Sequence, residues 1–320
     1  MTVTSEVETS RAFRAMGSDC VVRVVVANDR AEPILDRVEV RMRKLEQRWS
    51  RFLADSELSQ LNDHSGAPVF VSQETFELVS LAIDAWRATD GWFDPTMLDA
   101  LRNVGYDKTF DALAAQGPAV VGDSLTFSLG LDGVDLDARS FLLQTPPGMH
   151  LDLGGIGKGH AADLLFAQVI EDGVSGACLD FGGDIRVGGE PAEGKGWVVV
   201  VDDPFHPGED LAALALSEGS VTTSSRLRRK WSTTGGEAHH LIDPATAKPS
   251  ESPVAAVTVL AARAAWGEVH AKAALLAGPI AGPRLIEDAG LSAMFVADDG
   301  TFATVGEFER FVVGGPTLAV

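Results

Sequence analysis

The run Leu151-Asp-Leu-Gly-Gly-Ile-Gly-Lys-Gly159 constrains this chain more than any other stretch. A short apolar strand is expected to run into a glycine-rich turn carrying a single lysine. A helix follows from His160 to about Glu171 and stops at Gly173. Glycines let a backbone fold tightly and bring its N–H groups close to a ligand. A helix N-terminus adds partial positive charge, and Lys158 adds a full one. That is the local pattern of an anion-binding loop. The run lacks the GxxxxGK[ST] spacing of a Walker A loop and the GxGxxG fingerprint of a dinucleotide-binding domain. A phosphate-bearing ligand held by some other architecture is one reading. A tight strand-to-helix connection with a solvated lysine is the other.

The rest of the chain sets the architecture around this run. Strands are expected at 19–26, 125–129, 176–181, 184–188, 197–202, 211–216, 254–261, 292–296 and 309–313. Helices are expected at 33–49, with Pro33 in the first turn, and from Ser72 to just before Gly91. Two more are expected at about 265–277, ended by Gly278, and near 283–289. Strands and helices are interspersed without a regular βαβ period. This favours an α+β fold with mixed sheets and flanking helices over a doubly wound one. With 320 residues and 45% hydrophobic content, the chain can build a large core. No linker or repeat divides it, so residues 1–320 read as one compact domain.

The formal net charge is −20. An acidic surface argues against nucleic acid and anionic membranes as partners. Cys20 and Cys178 sit within apolar runs and read as buried, reduced residues. The first residues contain no apolar core of signal-peptide length, and no stretch approaches a membrane span. The expectation is a soluble, cytoplasmic protein.

Six polar clusters fall at expected turn positions: Met16-Gly-Ser-Asp-Cys, Ser50-Arg-Phe-Leu-Ala-Asp-Ser-Glu-Leu-Ser-Gln-Leu-Asn62, Gly91-Trp-Phe-Asp-Pro-Thr96, Phe181-Gly-Gly-Asp-Ile185, Val221-Thr-Thr-Ser-Ser225 and His239-His-Leu-Ile-Asp-Pro244. Each has a structural explanation. Ser56 or Asp55 can cap a helix, Asp94-Pro95 can make a turn, and Gly182-Gly183 can join two strands. Together with the glycine-lysine run they form a more specific set.

In this order the motifs resemble the ApbE family of FAD:protein FMN transferases, from about Ala15 to Gly278. The resemblance implies a compact, T-fold-like α+β domain with two halves around a flavin site. It implies cleavage of FAD at its pyrophosphate, attachment of FMN through a phosphoester to a Ser or Thr of a target protein, and release of AMP. The target would be a flavin-acceptor protein, often one of membrane electron transfer. By the same resemblance Asp152 and Lys158 match FAD-binding positions. Met16, Phe93 and Asp94 should line the nucleotide pocket, and Phe52 stands where many members carry tyrosine. His240 matches the histidine of the HxIDP motif and is the candidate general base, since imidazole titrates near neutrality. His239 is expected to be a surface neighbour, and Asp243-Pro244 to shape the turn.

The resemblance also implies a Mg2+ site, and here the chain departs from the pattern. The carbonyl of Gly155 is in place. On the late helix Glu268 stands for an aspartate and Lys272 for a threonine ligand. A protonated lysine has no acceptor atom and cannot ligate Mg2+. Glu268 and Lys272 are spaced i,i+4, the favourable order for a helix ion pair, so a surface pair is one expectation. A Lys272 ammonium at or against the metal position is the other. The altered site keeps two further functions open: an FAD-binding carrier or accessory protein without transferase activity, and an FAD pyrophosphatase.

Overall fold

Side-chain alternation builds the central sheet. In strand β2 (Ser18–Ala27), Cys20, Val22, Val24 and Val26 enter one core, while Val25 enters another on the opposite face. The computed structural model describes residues 6–122 and 127–314. Its largest sheet has eight strands, and their spatial order follows the chain: β1 (Glu6–Ala15), β2, β3 (Gly176–Phe181), β4 (Asp184–Gly189), β5 (Glu218–Ser225), β6 (Val254–Ala261), β7 (Ser292–Ala297) and β8 (Phe302–Val305). Every neighbouring pair is antiparallel. The α+β reading therefore holds, with an antiparallel meander where mixed pairing was expected.

Helices cover one face of this sheet. Helix α1 (Asn28–Trp49) packs on β1 and β2. Helix α4 (Gly157–Glu171) packs on β3 and β4, and helix α5 (Ala264–Asp288) on β5 and β6. Helices α2 (Glu57–Asp63) and α3 (Gln73–Ala88) extend the same core. The other face is covered by a small antiparallel sheet of Trp197–Asp202, Asp210–Leu216 and Val312–Gly314. There Trp197, Val199 and Val201 point inward and their neighbours outward. A separate cluster joins Met97, Leu101 and Tyr106 to Trp231, Ala238 and Ile242.

Several local expectations shift. Strand β1 lies in a stretch where no strand was expected. Helix α1 starts at Asn28, which places Pro33 inside it. The late helices run on as α5 across a break at Gly278, whose φ of 79° is non-helical. The Val221–Ser225 cluster lies in a central strand, where β-branched threonines fit a pleated surface. The expected strand at 309–313 is a 3-10 turn over Phe308–Phe311 followed by a short strand. The one expected at 125–129 lies partly outside the described residues, and its described part is not strand. Cys20 and Cys178 are buried free thiols, and burial pushes them up to about 11 and about 12. Among the described residues no helix is long and apolar enough to cross a membrane.

Candidate active site

The glycine run differs from its expected form in two ways. Leu151–Leu153 is extended but belongs to no sheet. Its partners are a side chain and a turn: Asn62 accepts from Leu151 N–H at 2.7 Å and donates to Leu151 C=O at 2.9 Å, and Asp152 N–H donates to Pro95 C=O at 2.8 Å. Helix α4 then begins at Gly157, so Lys158 and Gly159 lie in its first turn. The Asp55–Asn62 motif is what positions the run. Ser56 caps α2 by accepting from Ser59 N–H at 2.9 Å, which orients Asn62 on the helix. Glu57 accepts from Ser72 N–H at 3.0 Å, tying α2 to the start of α3.

Around this run a cleft of about 510 Å³ opens. Two hairpin tips reach it. Met16 and Gly17 both have positive φ (50° and 66°) in the two-residue turn between β1 and β2. Met16 N–H is held by Glu46 at 2.7 Å. Gly182 and Gly183 (φ 72° and 91°) make the corresponding turn between β3 and β4 and deliver Asp184 to the cleft. Thr223, Ser224 and Ser225 enter from the end of β5, and Glu268 and Lys272 from α5. The lining holds five basic residues (Arg51, Lys158, Arg228, Arg229, Lys272) against four acidic ones (Glu46, Asp152, Asp184, Glu268). The whole chain has 26 basic and 46 acidic residues. A local surplus of cations in so acidic a chain suits an anionic ligand.

The charges at the glycine turn are arranged specifically. Lys158 Nζ pairs with Asp184 and lies 2.8 Å from Glu268 Oε1. Glu268 Oε2 accepts from Gly159 N–H at 2.8 Å. One lysine thus serves two buried carboxylates. Burial works against its charge, but Asp184 and Glu268 together hold it above the ordinary lysine range. Burial, then Glu268, push Asp184 up to about 7. The expected i,i+4 pair between Glu268 and Lys272 is therefore not made, because Glu268 turns to α4. Nor is it a surface pair, since Glu268 is buried and both residues line the cleft.

Lys272 lies against the glycine turn. A Cβ added at Gly155 would stand 2.9 Å from Lys272 Cδ and 3.0 Å from Nζ, so only glycine leaves room for this approach. The ammonium sits over the Phe93 ring, 5.6 Å from its centroid. Burial pulls its pKa below the ordinary lysine value, against the opposing effect of Asp152, Glu268 and Asp94.

Phe93 and Asp94 are buried one layer behind the lining. Asp94 accepts from Thr96 N–H and Thr96 Oγ1, both at 2.7 Å, and so makes the turn itself. Asp152 reaches the cleft, where it accepts from Gly154 N–H at 3.0 Å and faces Arg51 Nε at 3.7 Å. Phe52 lines the opposite wall with Tyr106, their ring centroids 5.9 Å apart. The Arg51 guanidinium lies over both rings, 4.1 and 4.5 Å from their centroids. Its Nη1 donates to Tyr106 C=O at 2.8 Å, while Nη2 is buried with no partner.

The two histidines are placed differently from one another. His239, expected at the surface, is buried: its Nε2 lies 3.0 Å from Ser250 C=O and its Nδ1 accepts from Leu241 N–H. His240 faces the cleft, and its Nδ1 is buried with no hydrogen-bond partner. Burial first, then the charges of Arg229 and Lys272, hold His240 well below the ordinary imidazole value. It is neutral at physiological pH and keeps a lone pair for a proton. Asp243 accepts from Ala245 N–H at 2.8 Å and shapes its turn.

Sequence reading gave no role to Arg51, which lies in the Ser50–Asn62 cluster, and missed Tyr106, Arg228 and Arg229. The basic triplet Arg228-Arg229-Lys230 in a chain of net charge −20 was the available signal for two of them. Tyr106 is the only tyrosine in the chain and sits beside Phe52.

Comparisons with known proteins match the chain in sequence and fold. The family model described as ApbE family matches residues 16–295. The chain is 29% identical over 312 residues to the FAD:protein FMN transferase of Treponema pallidum, covering 91% of this chain and 85% of that protein. It is 24% identical over 292 residues to the FAD:protein FMN transferase of Escherichia coli K12, covering 89% and 83%. The crystal structure of the ApbE protein from Thermotoga maritima superposes with a TM-score of 0.80 at 25% identity, over 95% of this chain and 99% of that one. The apo flavinyl transferase ApbE of Pseudomonas stutzeri shares the fold, with a TM-score of 0.82 at 22% identity over 99% and 100%.

Proposed function

Because the chain belongs to the ApbE family, we propose that it is an FAD:protein FMN transferase. The observation that carries this reading is the cation-rich cleft around the Gly154–Gly159 turn, with a neutral, unpartnered histidine nitrogen in its wall. FAD is the substrate. Its diphosphate lies at the glycine turn near Asp152 and the Lys158 end of α4, and Met16, Phe52 and Tyr106 offer surfaces to its rings. Phe93 and Asp94 support that site from beneath.

His240 accepts the proton of a Ser or Thr hydroxyl on the acceptor protein. The hydroxyl oxygen forms a bond to the FMN phosphorus as the bond from that phosphorus to the bridging oxygen breaks. AMP leaves with the bridging oxygen. Phosphoryl transfer of this kind depends on positioning and charge stabilisation, which Lys272 and the arginines of the cleft supply. The acceptor is a flavin-carrying protein, and membrane electron-transfer proteins are the class to try first.

Incubation with FAD and a flavin-acceptor domain tests the reading. Covalent flavin fluorescence on the acceptor after denaturing electrophoresis supports it. Bound, unchanged FAD would favour a carrier, and FMN plus AMP without labelled acceptor would favour a pyrophosphatase.

A further inference from the structure

A divalent cation would have to sit between the Gly155 carbonyl and α5, and the residues present do not fit one. Mg2+ takes several oxygen ligands in near-octahedral geometry. Both Glu268 oxygens are already engaged, by Lys158 Nζ and by Gly159 N–H. The next inward position on the helix carries Lys272, a cation without an acceptor atom. Among the described residues no group of three or more His, Cys, Asp or Glu could hold a metal ion.

We propose that the Lys272 ammonium is the resident cation of this site and binds the FAD diphosphate directly, without a divalent metal. The inference rests on FAD being the substrate. Four observations carry it. Among the described residues Lys272 is the only cationic side chain of the lining without an ion pair or hydrogen bond, so its N–H donors are available. Its Nζ lies against Gly155, at the turn whose backbone and helix N-terminus favour an anion. The Phe93 ring supports the ammonium from beneath through its π face. Lys158, the cation expected to hold phosphate, is locked between Asp184 and Glu268. The Lys158 ammonium is engaged by two carboxylates and has no free charge to offer, so a further cation is needed before an anion can approach. The two lysines thus divide the work: Lys158 neutralises the carboxylates, and Lys272 faces the ligand.

The test measures FAD binding and FMN transfer separately, each in EDTA and in MgCl2, for the wild type, Lys272→Met and Lys272→Thr. FAD binding is followed by quenching of flavin fluorescence. The wild type should bind FAD with the same affinity in EDTA and in Mg2+. Lys272→Met should bind about 10- to 100-fold more weakly in both, the loss of charge-assisted hydrogen bonds. Lys272→Thr should bind weakly in EDTA and regain affinity only in Mg2+. Wild-type binding that requires Mg2+, or Lys272→Met binding as tightly as the wild type, would overturn the inference. So would Lys272→Thr binding as tightly as the wild type in EDTA. Metal-free FAD binding with no transfer to any acceptor would leave this inference standing and contradict the transferase reading. Transfer that needs Mg2+ would do the reverse.

Discussion

Lys158 Nζ and Glu268 Oε1 stand 2.8 Å apart across the junction of two helices, and the second Glu268 oxygen accepts from Gly159 N–H. This contact fixes the start of α4 against α5. It also occupies one acceptor site on each Glu268 oxygen and turns the carboxylate toward α4. Lys158→Met would leave Asp184 and Glu268 buried together without a cation. The expected loss of stability is about 3 to 5 kcal/mol, measured by urea unfolding. Adding Glu268→Gln should recover part of it. A Lys158→Met protein as stable as the wild type would contradict the pairing.

Gly155→Ala tests the closeness of the turn to Lys272. The new methyl would meet Lys272 Cδ at 2.9 Å and the Phe93 ring at 3.3 Å. The lysine stem can move, so stability should fall by only about 1 kcal/mol. FAD affinity should fall by about tenfold or more, because the ammonium leaves its place. Fluorescence titration and thermal unfolding on the same sample separate the two effects.

His240→Gln should lower the rate of FMN transfer by about 10²- to 10⁴-fold while FAD binding is retained. The pH dependence is a sharper check. His240 is held well below the ordinary value of 6.5. It therefore stays neutral, and able to accept a proton, on the acid side of 6.5. The rate should fall only as pH drops through that lowered value. An acid limb at or above 6.5 in the kcat/KM profile for FAD, which reports the free enzyme, would rule out this assignment.

His160 gives a prediction about stability. Both of its ring nitrogens are buried without partners, and burial, with a smaller effect from Arg263, lowers its pKa to about 4. In the unfolded chain it titrates near 6.5. Between these values the unfolded state binds a proton that the folded state does not, so stability falls as pH falls. The loss reaches about 3 kcal/mol below pH 4. Asp184, raised to about 7, acts in the opposite direction. The informative quantity is the difference between the wild type and His160→Leu, which should grow in favour of the variant from pH 6.5 downward.

Much of this was legible in the sequence because it depends on local pattern. The strands at 176–181, 197–202 and 254–261 are mostly apolar, and they form over those residues. Strand β1 alternates, but with charged and small polar side chains, and it is held chiefly by its ladder to β2. The glycine turn, Met16, Asp152, Lys158, His240 and Glu268 were found by motif, and the fold brings them to one cleft. What the sequence hid were partnerships across long separations. Asn62 holds Leu151 from 89 residues away, and Glu268 turns from Lys272, four residues on, to Lys158, 110 residues back. Helical spacing permits the local pair; the close approach of α4 and α5 at Gly159, where a Cβ would stand 2.5 Å from the Ala264 carbonyl oxygen, decides for the distant one.

The most direct measurement of the central claim counts products. The protein is incubated with FAD and an acceptor domain. AMP is quantified by chromatography, and FMN bound to the acceptor by intact-protein mass spectrometry. Equal amounts of AMP and of acceptor carrying one FMN phosphoester on a Ser or Thr are the expected result. AMP accompanied by free FMN, with the acceptor unmodified, would contradict it.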